Sequence, residues 1–155
     1  MAARIEPTLP YSPPVRVSPV KNQNRLKTVV ANDSETFLEV LCDVLDLEDD
    51  IEVVAAACDG VEAIDEAVRL KPALILMDVH MPGLDGVSAA SLLGEMTPAP
   101  VVVLMSSEDS RELRRAAERA GAFAFIHKPY LQQELPEVVD QILKARDQQW
   151  TGITD

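Results

Sequence analysis

From Leu26 onward the chain alternates short, almost unbroken apolar runs with longer stretches in which apolar residues recur every three or four positions. The runs predict strands and the three-to-four spacing predicts amphipathic helices. Lys27–Ala31 reads as a first, β-branched strand. Ser34 then caps a helix with Phe37, Leu38, Leu41, Val44 and Leu45 on its apolar face. Ile51–Ala57 is a second strand, broken by Asp59-Gly60, and Ile64, Ala67 and Val68 set the inner face of a second helix. After Pro72, Ala73–Val79 is a third strand, apolar throughout apart from Asp78. A modest helix over residues 86–96 leads to Val101–Met105, the fourth strand. Ser110–Ala120 is a charged helix stopped by Gly121, and Ala122–His127 a fifth strand. Leu135, Val138, Val139, Ile142 and Leu143 mark a last helix, with Pro136 expected in its first turn and an end near Gln148.

Five strands alternating with five helices predict an α/β fold: a doubly wound parallel sheet, covered on both faces because each parallel crossover needs a helix. Near-continuous apolar strands fit burial on both sides. In such open sheets chemistry collects beyond the carboxyl ends of the strands.

Composition narrows the function classes. The chain has 155 residues, one domain's worth, with 14 basic and 26 acidic residues for a net charge of −12. Residues 1–26 hold four basic residues and one acidic, a net +3, so the remaining 129 carry −15. An acidic body argues against direct nucleic-acid binding and leaves room for a cation site. The basic front end contains Pro7, Pro10, Pro13, Pro14 and Pro19 with no apolar period; it reads as a disordered extension, or as a docking arm for an acidic partner. Residues 27–148 form the expected domain and 149–155 a short tail. Cys42 and Cys58 fit neither a disulfide scaffold nor a zinc site, there is no secretory signal, and no apolar run is long enough for membrane insertion. A cytoplasmic protein is expected.

The strand ends carry the chemistry. The first ends in Asn32-Asp33, the third in Asp78, the fourth in Ser106-Ser107 and the fifth in Lys128-Pro129. The second ends in Ala57-Cys58 and offers nothing polar, as expected at a sheet border. Each residue alone has a plain structural use: Asp33 as a helix cap, Ser106 as a turn hydroxyl, Lys128 as a surface lysine. Together they suit phosphoryl transfer. Two carboxylates can hold a hard divalent cation, one can accept the phosphoryl group as an acyl phosphate, and an ammonium and a hydroxyl can meet its oxygens.

Asn32-Asp33, the run LMDVHMPGLDG at 76–86, Ser106-Ser107 and AFIHKPY at 124–130 resemble the receiver domain of bacterial two-component response regulators. The resemblance implies a CheY-like (flavodoxin-like) sheet of order 2-1-3-4-5, with Asp78 as phosphoacceptor assisted by Lys128 and Ser106. It implies Mg²⁺ (or Mn²⁺) held by Asp33, Asp78 and the backbone carbonyl of His80, with Asn32 reaching it through water. Most receivers carry an acid at the position of Asn32, so weakened rather than abolished phosphorylation is expected. The same resemblance makes Ser106 and Phe125 a switch pair, puts His80, Glu108 and Ser107 at positions that modulate the phosphoryl group, and places a cis bond before Pro129. It implies a sensor histidine kinase or histidine phosphotransfer protein as donor and a downstream target protein, with no separate enzymatic substrate.

No output domain is expected in the tail, so signalling would proceed by docking around the fourth helix, fifth strand and fifth helix, where a homodimer is also possible. Arg111, Arg114, Arg115 and Arg119 stand on that fourth helix with Glu112 and Glu118. They read as a solvated face, or as a partner contact. One alternative function is a receiver-shaped binding module that works without phosphorylation, motivated by Asn32. Asp78–Gly83 also spells the D-x-H-x-x-G motif of cobalamin-binding domains. Here it follows a third strand rather than a first, lacks the later glycine pair, and leaves Lys128-Pro129 without a role.

Overall fold

The apolar runs form one parallel sheet in a computed structural model that describes residues 24–151, with side chains to 148. The strands are β1 (Leu26–Ala31), β2 (Ile51–Ala57), β3 (Leu74–Asp78), β4 (Val101–Ser106) and β5 (Ala124–His127). Their order is β2-β1-β3-β4-β5, as expected. The helices are α1 (Glu35–Asp46), α2 (Gly60–Leu70), α3 (Gly86–Leu93), α4 (Arg111–Arg119) and α5 (Leu131–Thr151). The proline-rich segment lies outside the described residues up to position 23, and Leu26, expected at its end, already belongs to β1.

Strand alternation feeds two cores. Leu74 and Leu76 of β3 point into the layer under α1 and α5, beside Leu38, Leu41, Leu45, Leu135, Val139 and Ile142. Ile75 and Met77 point the other way, into an alanine-rich layer built by Ala63 and Ala67 of α2, Ala89 and Ala90 of α3, and Ala117 of α4. Small side chains let these three helices lie close to the sheet. That explains one departure from the expected pattern: Val68 is 59% exposed, because Ala63 and Ala67 form the inner face of α2 with Ile64 at its margin.

Helix starts follow the sequence signals. Ser34, Asp59, Asp85 and Ser110 each accept a hydrogen bond from the N–H three residues on, satisfying a donor the helix cannot. Helix α5 differs at both ends. It begins at Leu131 and continues to Thr151, beyond the expected end near Gln148, and Pro136 therefore lies inside it rather than in its first turn. The proline removes the bond to the Gln132 carbonyl, on an exposed residue where water can replace it.

Candidate functional site

Parallel register decides which side chains meet. Ala31 pairs with Met77, so Asn32 and Asp78 leave the sheet side by side. Asp78 pairs with Met105 and Ser106 with His127, which brings Ser106 and then Lys128 to the other flank. The four expected strand ends thus converge on one edge, and β2 borders the sheet.

Asp78 is 5% exposed, so its carboxylate needs partners. Its Oδ2 accepts from Lys128 Nζ at 3.0 Å and from Asn32 Nδ2 at 3.2 Å. Both donors go to the same oxygen; among the described residues no hydrogen bond engages Oδ1, which keeps its lone pairs. The Lys128 ammonium also lies 4.3 Å from the ring centroid of Phe37, a cation–π contact that steadies it from α1. Phe37 was legible in the sequence only as an apolar helix position.

Asn32 is completely buried. Its Oδ1 accepts from the Ser34 N–H at 2.8 Å, which fixes the amide, since a flipped amide would set one donor against another. The side chain therefore turns its NH₂, not its oxygen, toward Asp78. Asp33 beside it is exposed.

Ser106 is fully buried, and its Oγ accepts from the Glu108 N–H at 3.0 Å, leaving the hydroxyl proton available for donation. The carbonyl of Ser107 lies 3.0 Å from His127 Nε2. His80 and Glu108, on neighbouring loops, face each other with Nε2 and Oε2 3.5 Å apart, both more than half exposed. Phe125 is half-buried in the alanine-rich layer, with the Arg114 guanidinium 4.8 Å from its ring centroid. Arg114 in turn grips Asp109 with two hydrogen bonds, Nε at 2.6 Å and Nη2 at 3.1 Å. That grip holds the Asp109 carboxyl below its ordinary range and raises the guanidinium further. Arg114 is therefore not simply part of a solvated helix face: it covers the aromatic ring. At the border strand, burial and then the charges of Glu62, Glu35, Asp59 and Asp33 push the Cys58 thiol up, away from thiolate chemistry.

One expectation is corrected. Among the described residues the cis peptide bond is Thr97–Pro98; the Lys128–Pro129 bond is not cis. Lys128–Tyr130 is a 3-10 turn with Pro129 at its start and the Leu131 N–H bonded to the Lys128 carbonyl, a helical path built from trans peptides. Lys128 reaches Asp78 from that turn without the cis bend.

No three His, Cys, Asp or Glu side chains among the described residues converge as a ready metal cage. The residues expected to hold a cation, Asp33 at the end of β1, Asp78 at the end of β3 and the main chain at His80, offer hard oxygen donors. Their chemistry fits a cation such as Mg²⁺, which keeps several waters of its own. The free Oδ1 of Asp78 supplies the observation that favours the fit.

A doubly wound five-stranded parallel sheet of order 2-1-3-4-5, carrying a lysine-held buried aspartate at its carboxyl edge, defines a flavodoxin-like receiver fold. The chain belongs to the response regulator receiver domain family, which matches residues 28–140, and is thereby a component of two-component signalling. It is 35% identical over 127 residues to a protein-glutamate methylesterase/protein-glutamine glutaminase of Thermotoga maritima, covering 77% of this chain and 37% of that protein. To protein-glutamate methylesterase/protein-glutamine glutaminase 4 of Myxococcus xanthus it is 38% identical over 123 residues, covering 79% and 35%. The chain thus spans about a third of the length of these curated relatives. Among solved structures, the response regulator domain of Thermotoga maritima CheB aligns with a TM-score of 0.69 and 34% identity over 79% of this chain and 97% of that one. The signal receiver domain of the putative response regulator NarL from Mycobacterium tuberculosis aligns with a TM-score of 0.70 and 28% identity, covering 79% and 96%. Among the described residues no helix is long and apolar enough to cross a membrane.

Proposed function

We propose that this receiver accepts a phosphoryl group on Asp78 from a phosphohistidine, carried by a sensor histidine kinase or a histidine phosphotransfer protein, and signals by docking to another protein. The observation that carries this reading is the asymmetry of Asp78: Oδ2 is held by Lys128 and Asn32, and Oδ1 is left to react. In the transfer an Asp78 carboxylate oxygen bonds to phosphorus as the phosphorus–nitrogen bond breaks; the imidazole leaves with the electron pair and an acyl phosphate remains. Mg²⁺, when held by Asp33, Asp78 and the His80 carbonyl, supplies charge neutralisation for the transferring oxygens. Lys128 lies within reach of a phosphoryl oxygen at Asp78, and the Ser106 hydroxyl has its proton free for another. Drawing Ser106 toward the phosphoryl group would open room for Phe125, which must then leave the Arg114 guanidinium. That exchange biases the α4–β5–α5 face between two arrangements.

Incubation with Mg²⁺ and acetyl phosphate tests the assignment. The intact protein is expected to gain one phosphoryl mass, and Asp78→Asn to gain none. Asn32 supports a second reading, a binding module without phosphate, because it turns a donor toward Asp78 where an acceptor was expected. No mass gain in the unaltered chain, with Mg²⁺ in large excess, selects that reading.

A further inference from the structure

At the opposite edge of the sheet, where the strands begin, lies a second polar site. A cavity of about 370 Å³ has four basic residues in its lining, Arg25, Lys27, Lys71 and Arg146. No carboxylate lines it, although the chain as a whole carries −12. Arg25 reaches Glu52 only at 3.8 Å, and Lys27, Lys71 and Arg146 make no ion pair or side-chain hydrogen bond among the described residues.

The four cations come from three places in the fold: Arg25 and Lys27 at the start of β1, Lys71 at the end of α2, and Arg146 toward the end of α5. One of them has a local reason to be there. Lys71 ends α2 in the left-handed conformation, φ 49°, at the helix end that favours a positive charge. That reason does not extend to Lys27 or Arg146. Gathering like charges raises the energy of the empty site, and a multiply charged anion relieves it.

The rest of the wall is apolar. Met96 and the rings of Pro72, Pro98 and Pro100 line the cavity. Proline fixes its own φ, so this wall needs little ordering when a ligand arrives. The volume lies within the range of small-molecule sites. The sequence of residues 1–23 is itself basic, so charge does not select it as the occupant.

We propose that this cavity binds a nucleotide, its phosphates meeting the four cations and its base lying on the Met96 and proline wall. Ala73 lines the cavity and Asp78 lies five residues along the same chain, about 16 Å at strand spacing. The nucleotide site is therefore separate from the carboxylate edge.

The test is a backbone amide NMR titration of the full chain with ATP and, separately, with inorganic tripolyphosphate, both without divalent cation. ATP is expected to give saturable shifts at Lys27, Lys71, Ala73, Ala99 and Arg146, and Asp78→Asn is expected to bind it equally well. The Lys71→Asn/Arg146→Gln double variant keeps a residue that tolerates the left-handed conformation and should bind about tenfold or more weakly. Tripolyphosphate, lacking the base, should bind more weakly than ATP. The proposal is overturned by the absence of saturable shifts, by shifts centred on Arg111–Arg119 instead, or by undiminished binding in the double variant. Equal affinity for tripolyphosphate and ATP overturns the nucleotide assignment.

Discussion

Replacing Gly86 with alanine is expected to destabilise the protein by about 3 kcal/mol and to displace Asp78, the upper end of what overpacking usually costs. Gly86 opens α3 directly behind the acceptor strand, and its N–H donates to the Val79 carbonyl at 2.8 Å. An added Cβ would stand 2.2 Å from the Asp78 carbonyl oxygen and 2.9 Å from Val79 Cα. Those are backbone atoms of a buried strand end, so no side-chain rotation relieves the clash. Gly83 is the matched control, because it has a positive φ of 74° with nothing within 4 Å of its added Cβ. Gly83→Ala should cost only about 1 kcal/mol, the ordinary penalty of a left-handed alanine. Urea unfolding of the two variants measures the difference, and acetyl phosphate labelling of the Gly86 variant should be lost together with stability. Equal midpoints would show that the acceptor strand can move freely away from α3.

Asn32→Asp is expected to make stability depend on Mg²⁺. The buried amide now accepts from Ser34 with one end and donates to Asp78 with the other. An aspartate there keeps the first bond but places a carboxylate oxygen against Asp78 Oδ2, where the amide nitrogen now sits at 3.2 Å. Lys128 alone then faces two buried carboxylates, and a cost of about 1–3 kcal/mol follows in the presence of a chelator. A divalent cation relieves the repulsion and gains an acidic neighbour, so affinity for Mg²⁺ should rise about tenfold or more. At a concentration about a hundredfold above its dissociation constant it restores about 2.7 kcal/mol. Thermal unfolding with chelator and with Mg²⁺ checks both signs. A variant as stable as the parent in chelator, with no response to Mg²⁺, would contradict the assigned orientation of Asn32.

The strand ends were legible because they break apolar runs at regular intervals. Asp78 interrupts a strand apolar enough to be buried on both faces, and only a paired carboxylate is tolerated there. Parallel register then does the rest: residues one step beyond paired strand ends must be neighbours, so Asn32, Asp78, Ser106 and Lys128 follow from topology. What the sequence pattern could not carry is side-chain direction. Which end of Asn32 faces Asp78 depends on the Ser34 N–H, a donor that exists only once α1 has started. Phe37 beneath Lys128 and Arg114 over Phe125 are contacts between distant segments, with no periodicity to announce them. Val68 was misplaced for a related reason, since the inward face of α2 is set by how closely its alanines approach the sheet. Pro129 shows the limit of resemblance: the residue matches, but the local turn takes a helical path. The basic cavity was invisible because its four cations are scattered over β1, α2 and α5 and meet only in three dimensions.

The central claim is that Asp78 forms the acyl phosphate, and borohydride trapping tests it most directly. The chain is labelled with acetyl phosphate and Mg²⁺, treated with borohydride, digested, and its peptides are sequenced by mass spectrometry. Reduction of an aspartyl phosphate leaves homoserine at the acceptor position. Homoserine at position 78, absent without phosphodonor, is the predicted result; homoserine at position 33, or at neither aspartate despite excess donor and Mg²⁺, would contradict the account.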